Sequence, residues 1–108
     1  MKEHRNLTPG QEEVAEHNLF TAVAALKTAE ECRAFFKDLC TPAELQAMAD
    51  RWAVVDWLKK DLPYREIHKL TGVSVTTIGR VARFLANGNG GYRLVAERVE
   101  SSQVASHG

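Results

Sequence analysis

The side chains best placed to do chemistry lie between Tyr64 and Arg83, and the chemistry they fit is recognition of a polyanion. On a helix running from about residue 74 to 86, Thr76, Thr77, Gly79, Arg80 and Arg83 share the face opposite the apolar positions. Short hydroxyls and a long cation can reach base edges in a major groove, where an arginine spans the paired acceptors of guanine. Thr76, Thr77 and Arg80 are therefore base-edge candidates. Gly79 joins them because a missing side chain lets the helix backbone approach closely. Arg65 is a fifth candidate, able to reach a base or the backbone. Tyr64, His68, Lys69 and Arg83 are better suited to phosphates, which fix orientation without carrying sequence information. A base contact of this kind is worth roughly 1–3 kcal/mol.

Other chemistries find little support. His4, His17, His68 and His107 are scattered without metal-ligand spacing, so no metal is expected. Cys32 and Cys40 form no CxxC pair and read as reduced thiols on a helix face or in the core. No Ser/His/Asp or Cys/His grouping points to an enzyme. The glycine-rich stretch from Ala86 to Gly91 follows no strand and lacks a closing Gly-Lys-Ser/Thr, so it reads as a flexible elbow rather than a phosphate loop. No cofactor is expected.

The candidate residues need two short helices joined by a tight turn, and the stretch YREIHKLTGVSVTTIGRVARFL from Tyr64 to Leu85 supplies them. Ile67 and Leu70 give the first helix an apolar face. Gly72 stands where the chain must turn through a positive φ. Val73 fills the angle, and Ser74 can accept from the backbone N–H of Thr76 or Thr77. Val75, Ile78, Val81 or Ala82, and Leu85 then face inward at helical spacing.

Upstream, Thr8-Pro9-Gly10-Gln11, Thr28-Ala29-Glu30-Glu31 and Thr41-Pro42-Ala43-Glu44 each read as a capping box opening a helix. The first helix should bury Val14 or Ala15, Leu19, Ala22, Val23 and Leu26, and the second Cys32, Phe35, Phe36 and Leu39. The third, Pro42 to about Lys60, carries two apolar stripes and reads as a strut packed on two sides, with both tryptophans in the core. Beyond the elbow, Tyr92, Val95, Ala96 and Val99 outline a last short helix. The expectation is an all-α chain of six helices. Residues 1–7 form a disordered N-terminus, 8–99 one helix-turn-helix domain, and 100–108 a disordered tail.

The 108 residues suffice for one modest core. Their formal net charge is zero, but residues 1–50 hold five Lys/Arg against nine Asp/Glu, a net of −4, whereas residues 64–93 hold five against Glu66 alone, a net of +4. Such a chain can present one basic end to nucleic acid while the rest repels it. No apolar run approaches a membrane span and the N-terminus is no signal peptide, so the expected location is the cytoplasm.

Three blocks make the chain resemble the Trp repressor superfamily, in its YerC/YecD-like branch. They are L-x-T-P-A-E-L-Q-A-M-x-D-R-W from Leu39 to Trp52, R-E-I-H-K-L-T-G-V-S-x-T-T-I-x-R from Arg65 to Arg80, and G-N-G-G-Y-R from Gly88 to Arg93. The resemblance covers about residues 10–99. It implies an intertwined all-helical homodimer whose two heads sit about one DNA turn apart, ~34 Å, and read a palindrome, in part through water-mediated contacts. It also implies an effector pocket. Arg51 and Arg80 match the arginines that hold the corepressor's indole, and Thr41 matches a threonine at the pocket edge. Val81 and Phe84 depart from the family's glycine and serine, which argues against tryptophan as the ligand. The departure leads to the expectation that Phe84 plugs the pocket, so that the heads are held without a corepressor or answer a smaller effector. The reading is a dimeric regulator, most simply a repressor, binding double-stranded DNA. The alternative is a protein-interaction module of the transcription machinery that keeps the fold.

Overall fold

Six helices follow one another in the computed structural model, which describes residues 6–107 and side chains through residue 102. They are α1 (Pro9–Ala24), α2 (Ala29–Leu39), α3 (Pro42–Lys59), α4 (Tyr64–Thr71), α5 (Val75–Asn87) and α6 (Gly91–His107). No strand occurs among the described residues. The chain divides into two compact units between Thr41 and Pro42.

In the first unit the helix starts are where the capping pattern puts them. Thr8 Oγ1 accepts from Gln11 N at 3.1 Å, and Gln11 Oε1 accepts from Thr8 N at 2.8 Å, a complete reciprocal cap. Thr28 accepts from Glu31 N at 3.0 Å, but the Glu31 carboxylate takes its backbone bond from Lys27, one residue before the cap. The expected burial along α1 is not found. Val23 and Leu26 are half-buried, whereas Val14 and Phe20 are about 60% exposed and no residue of α1 is buried. On α2, Cys32, Phe35 and Phe36 are half-buried and Leu39 is exposed. The apolar stripes are present on these helices, and within the first unit they stay largely uncovered.

The second unit holds the core. α5 packs against α3, α4 and α6, and α3 against α4 and α6. Val54, Val55, Ile67, Val73, Ile78 and Val81 are buried together, with Trp57, Leu58, Leu62, Leu85 and Tyr92 packed around them. Full burial of such a side chain stabilises by roughly 1.5–3 kcal/mol, so six of them fix the angle between α4 and α5. α3 ends in a turn in which Asp61 takes φ 60°, a left-handed conformation that aspartate tolerates.

Three expectations for this unit need correction. Trp52 is 40% exposed and stacks on Tyr92, with centroids 6.5 Å apart, instead of entering the core. Leu70 and Val75 are 56% and 51% exposed. α4 is only two turns long, so its buried stripe narrows to Ile67 and half-buried Thr71, and Val75 begins α5 with no preceding turn beside it. The last helix is longer than expected: α6 continues through Ser101 and Gln103 to His107, because the segment holds neither proline nor glycine before Gly108 and its Gln and Ala are helix-compatible. Of the N-terminal segment expected to be frayed, residues 1–5 fall outside the described residues, as does Gly108.

Candidate nucleic-acid interface

The turn between α4 and α5 is built by six short polar contacts. Gly72 takes φ 78° as the left-handed cap of α4, and its N–H donates to the His68 carbonyl at 2.8 Å. Thr71 Oγ1 donates to the Ile67 carbonyl at 2.7 Å and accepts from Val73 N at 3.1 Å. Ser74 caps α5 by accepting from Thr77 N at 3.1 Å, and its hydroxyl donates to Thr77 Oγ1 at 3.0 Å. His68 Nδ1 lies 2.8 Å from the Val73 carbonyl, which can only accept, so the ring proton is on Nδ1.

These contacts re-sort the candidates read from sequence. Thr76, Arg80 and Arg83 are exposed on the outer face of α5, and Arg65 is exposed on α4. Thr77 is half-buried with its hydroxyl turned to the cap, which withdraws it from the outer face. His68 staples the turn through Nδ1, and the rest of its exposed ring faces outward. Gly79 is also half-buried, and a Cβ built on it would lie 3.9 Å from Cε2 of Tyr64. The space left at residue 79 therefore adjoins the Tyr64 ring, and Tyr64, 41% exposed, packs partly inward. Lys69 is exposed and only 4.0 Å from the Glu66 carboxylate, a weak surface pair.

Charge on this surface is one-sided. Among the described residues Arg65, Arg80 and Arg83 form no ion pair. The two guanidinium groups on α5 lie instead against one ring: Cζ of Arg80 is 4.8 Å and Cζ of Arg83 is 5.6 Å from the Phe84 centroid.

Beside Phe84 opens a cavity of about 530 Å³, with Arg51, Trp52, Arg80, Phe84, Asn89 and Tyr92 among its lining residues. Arg51, Arg80 and Phe84 of the expected effector pocket thus come together. Val81 does not join them, because it is fully buried in the core. Thr41 closes the first unit. The Phe84 ring forms one wall of this cavity. Sequence reasoning missed Asn89 and Tyr92 as lining residues, although both lie in a motif it singled out. It also missed Arg93, whose Nε donates to the Leu85 carbonyl at 3.0 Å and ties the end of α5 to α6. Gly88 belongs to the same corner, since a Cβ there would collide with the Phe84 carbonyl oxygen.

An all-helical chain with a basic, outward-facing second helix after a glycine turn is a helix-turn-helix protein. Comparison with known proteins agrees. A model of the Trp repressor protein family matches residues 15–100. The uncharacterized protein YerC of Bacillus subtilis (strain 168) is 41% identical over 88 residues, covering 82% of this chain and 85% of that one. A crystal structure from Staphylococcus aureus, provisionally described as a Trp repressor, superposes with TM-score 0.76 at 38% identity, covering 81% of this chain and 87% of the other. A TrpR-like protein from Eubacterium eligens ATCC 27750 gives 0.75 at 40% identity, over 80% and 89%. The chain belongs to the Trp repressor superfamily, in its YerC-like branch. Its class is that of non-enzymatic, DNA-binding transcription regulators. No helix among the described residues is long and apolar enough to cross a membrane.

Proposed function

We propose that this protein is a cytoplasmic, homodimeric repressor that reads a palindromic DNA site by inserting α5 into the major groove. The observation that carries this is the outer face of α5, where Thr76, Arg80 and Arg83 stand exposed and the two cations have no carboxylate partner among the described residues. Unneutralised guanidinium groups on a groove-sized helix have phosphates and guanine edges as their natural partners. Exposed Val14 and Phe20 on α1, and Leu94, Val95 and Val99 on α6, support a second protomer as the missing cover. A dimer covering its site would exclude the polymerase, which is the reason for reading it as a repressor. Phe84 argues against tryptophan as the corepressor, because the resemblance puts a ring where the family offers a hydroxyl to the ligand's amino group.

The test is selection of bound duplexes from a random pool by the wild type and by Arg80→Ala, with and without tryptophan. Enrichment of a palindrome by the wild type, lost in Arg80→Ala and indifferent to tryptophan, is the expected result. Enrichment only with tryptophan would restore the corepressor. A second reading, docking onto a protein of the transcription machinery, draws on the exposed Leu70 and Val75 flanking the turn. Salt-tolerant binding to such a partner with no duplex preference would select it, since duplex binding must weaken steeply with salt.

A further inference from the structure

We infer that Phe84 is a positioning residue for DNA recognition: its ring holds the guanidinium groups of Arg80 and Arg83 in the orientation from which they engage the duplex. The inference rests on the DNA-binding reading and adds a residue that itself touches neither base nor phosphate.

A phenylalanine in a small helical protein ordinarily serves the core. Phe84 does not. It is 38% exposed and stands outside the buried cluster formed by Val54, Val55, Ile67, Val73, Ile78 and Val81 and the residues packed on it. What it touches is charge. Arg80, one helical turn before it, lies 4.8 Å from the ring centroid, and Arg83 lies at 5.6 Å, both within the range where a ring quadrupole attracts a cation. Neither arginine has an ion pair among the described residues, so the ring, and no carboxylate, faces the two charged groups.

The arrangement does two things for recognition. An arginine on a free stem must lose its rotamer freedom when it binds, and a stem already laid against a ring has lost part of it beforehand. A guanidinium held by a ring also has no carboxylate partner to be displaced before it meets a phosphate or guanine acceptor. Position 84 therefore tunes affinity and discrimination through its ring and not through its bulk.

The test uses the full chain, the selected palindrome and a scrambled duplex of equal length and composition, titrated by fluorescence anisotropy at several salt concentrations. Phe84→Leu keeps an apolar side chain of good helix propensity and removes the ring. It should weaken binding to the palindrome by about fivefold to thirtyfold, the expectation for two surface cation–ring contacts, and narrow the gap between palindrome and scramble. Phe84→Trp, with the stronger ring, should keep wild-type discrimination. Unchanged discrimination in Phe84→Leu overturns the inference, as does a Phe84→Trp protein that melts like the wild type yet binds as poorly as Phe84→Leu. A readout independent of DNA completes the design: ring-current displacement of the Arg80 Hδ resonances, present in the free wild type and lost in Phe84→Leu. Absence of that displacement in the wild type refutes the contact directly. Wild-type protein that shows the displacement but binds neither duplex overturns the DNA-binding reading and, with it, the role in recognition.

Discussion

Gly79→Ala separates two uses of one glycine. On a helix wheel, Gly79 sits near the outward face and reads as the place where the backbone meets DNA. In the structure its missing side chain faces Tyr64, with 3.9 Å between a built Cβ and Cε2 of the ring. That is ordinary van der Waals distance, so the methyl group meets no clash. Gly79 lies in the interior of α5, where replacing glycine by alanine gains about 0.8–1.0 kcal/mol of helix propensity. Contact with the ring adds a few tenths at most, at ~0.1–0.2 kcal/mol per atom pair. The sum is about 1 kcal/mol, or roughly 4–8 °C in the melting temperature of a domain this size. Circular dichroism melts at fixed protein concentration would measure it, with Gly88→Ala as the opposing control. There the new Cβ meets a backbone oxygen, and a loss of roughly 1–3 kcal/mol is expected, as for other overpacked sites. Affinity of Gly79→Ala for the selected duplex should change by less than about twofold, since each tenfold change needs 1.4 kcal/mol and the methyl group points away from the groove. A stabilised variant with tenfold weaker binding would refute this reasoning and return Gly79 to the DNA surface.

Other perturbations separate turn-building from binding. Ser74→Ala removes the acceptor for Thr77 N and should cost about 1 kcal/mol in urea unfolding. His68→Ala removes the bond to the Val73 carbonyl and should cost roughly 0.5–1.5 kcal/mol while leaving the salt dependence of DNA binding unchanged. A salt slope lowered by about one in that variant would mean that His68 meets a phosphate after all. Arg83→Ala, by contrast, should lower that slope by about one and weaken all duplexes alike.

The helix starts and the turn were legible because each rests on local chemistry. Thr8 with Gln11, Gly72 at positive φ, and Ser74 ahead of Thr77 make contacts within three or four residues, and spacing alone reveals them. Periodicity also found Ile67, Ile78 and Val81. It erred where tertiary context decides. Val75 and Leu70 have apolar types and the right register, but an end position and a two-turn helix leave them uncovered. Thr77 and His68 looked outward by register, yet each has a backbone or side-chain partner in the turn that competes for its polar atoms. Phe84 was read by comparison with a ligand pocket; it lines a cavity with Arg51 and Arg80, and the sequence pattern did not show that its ring also carries two cations of its own helix. Trp52 was assigned to the core by its helical spacing, whereas its stack on Tyr92 depends on how α6 returns, which no local pattern encodes.

α1 has sixteen residues and buries none of them. A helix of that length is marginal in water unless something packs on it. If the cover is a second protomer, dilution acts on this half of the chain as a denaturant, because its folding then draws on a bimolecular equilibrium. Helicity would fall in two steps as concentration drops, α1 melting first while the core around Ile67 and Ile78 holds. Operator occupancy would then rise with the square of protein concentration in the dilute range. A weak promoter upstream of such a gene acts as a threshold, and small changes in copy number become large changes in regulation. Ellipticity at 222 nm across a serial dilution would report the first step, and a concentration-independent signal would show that α1 stands without a partner.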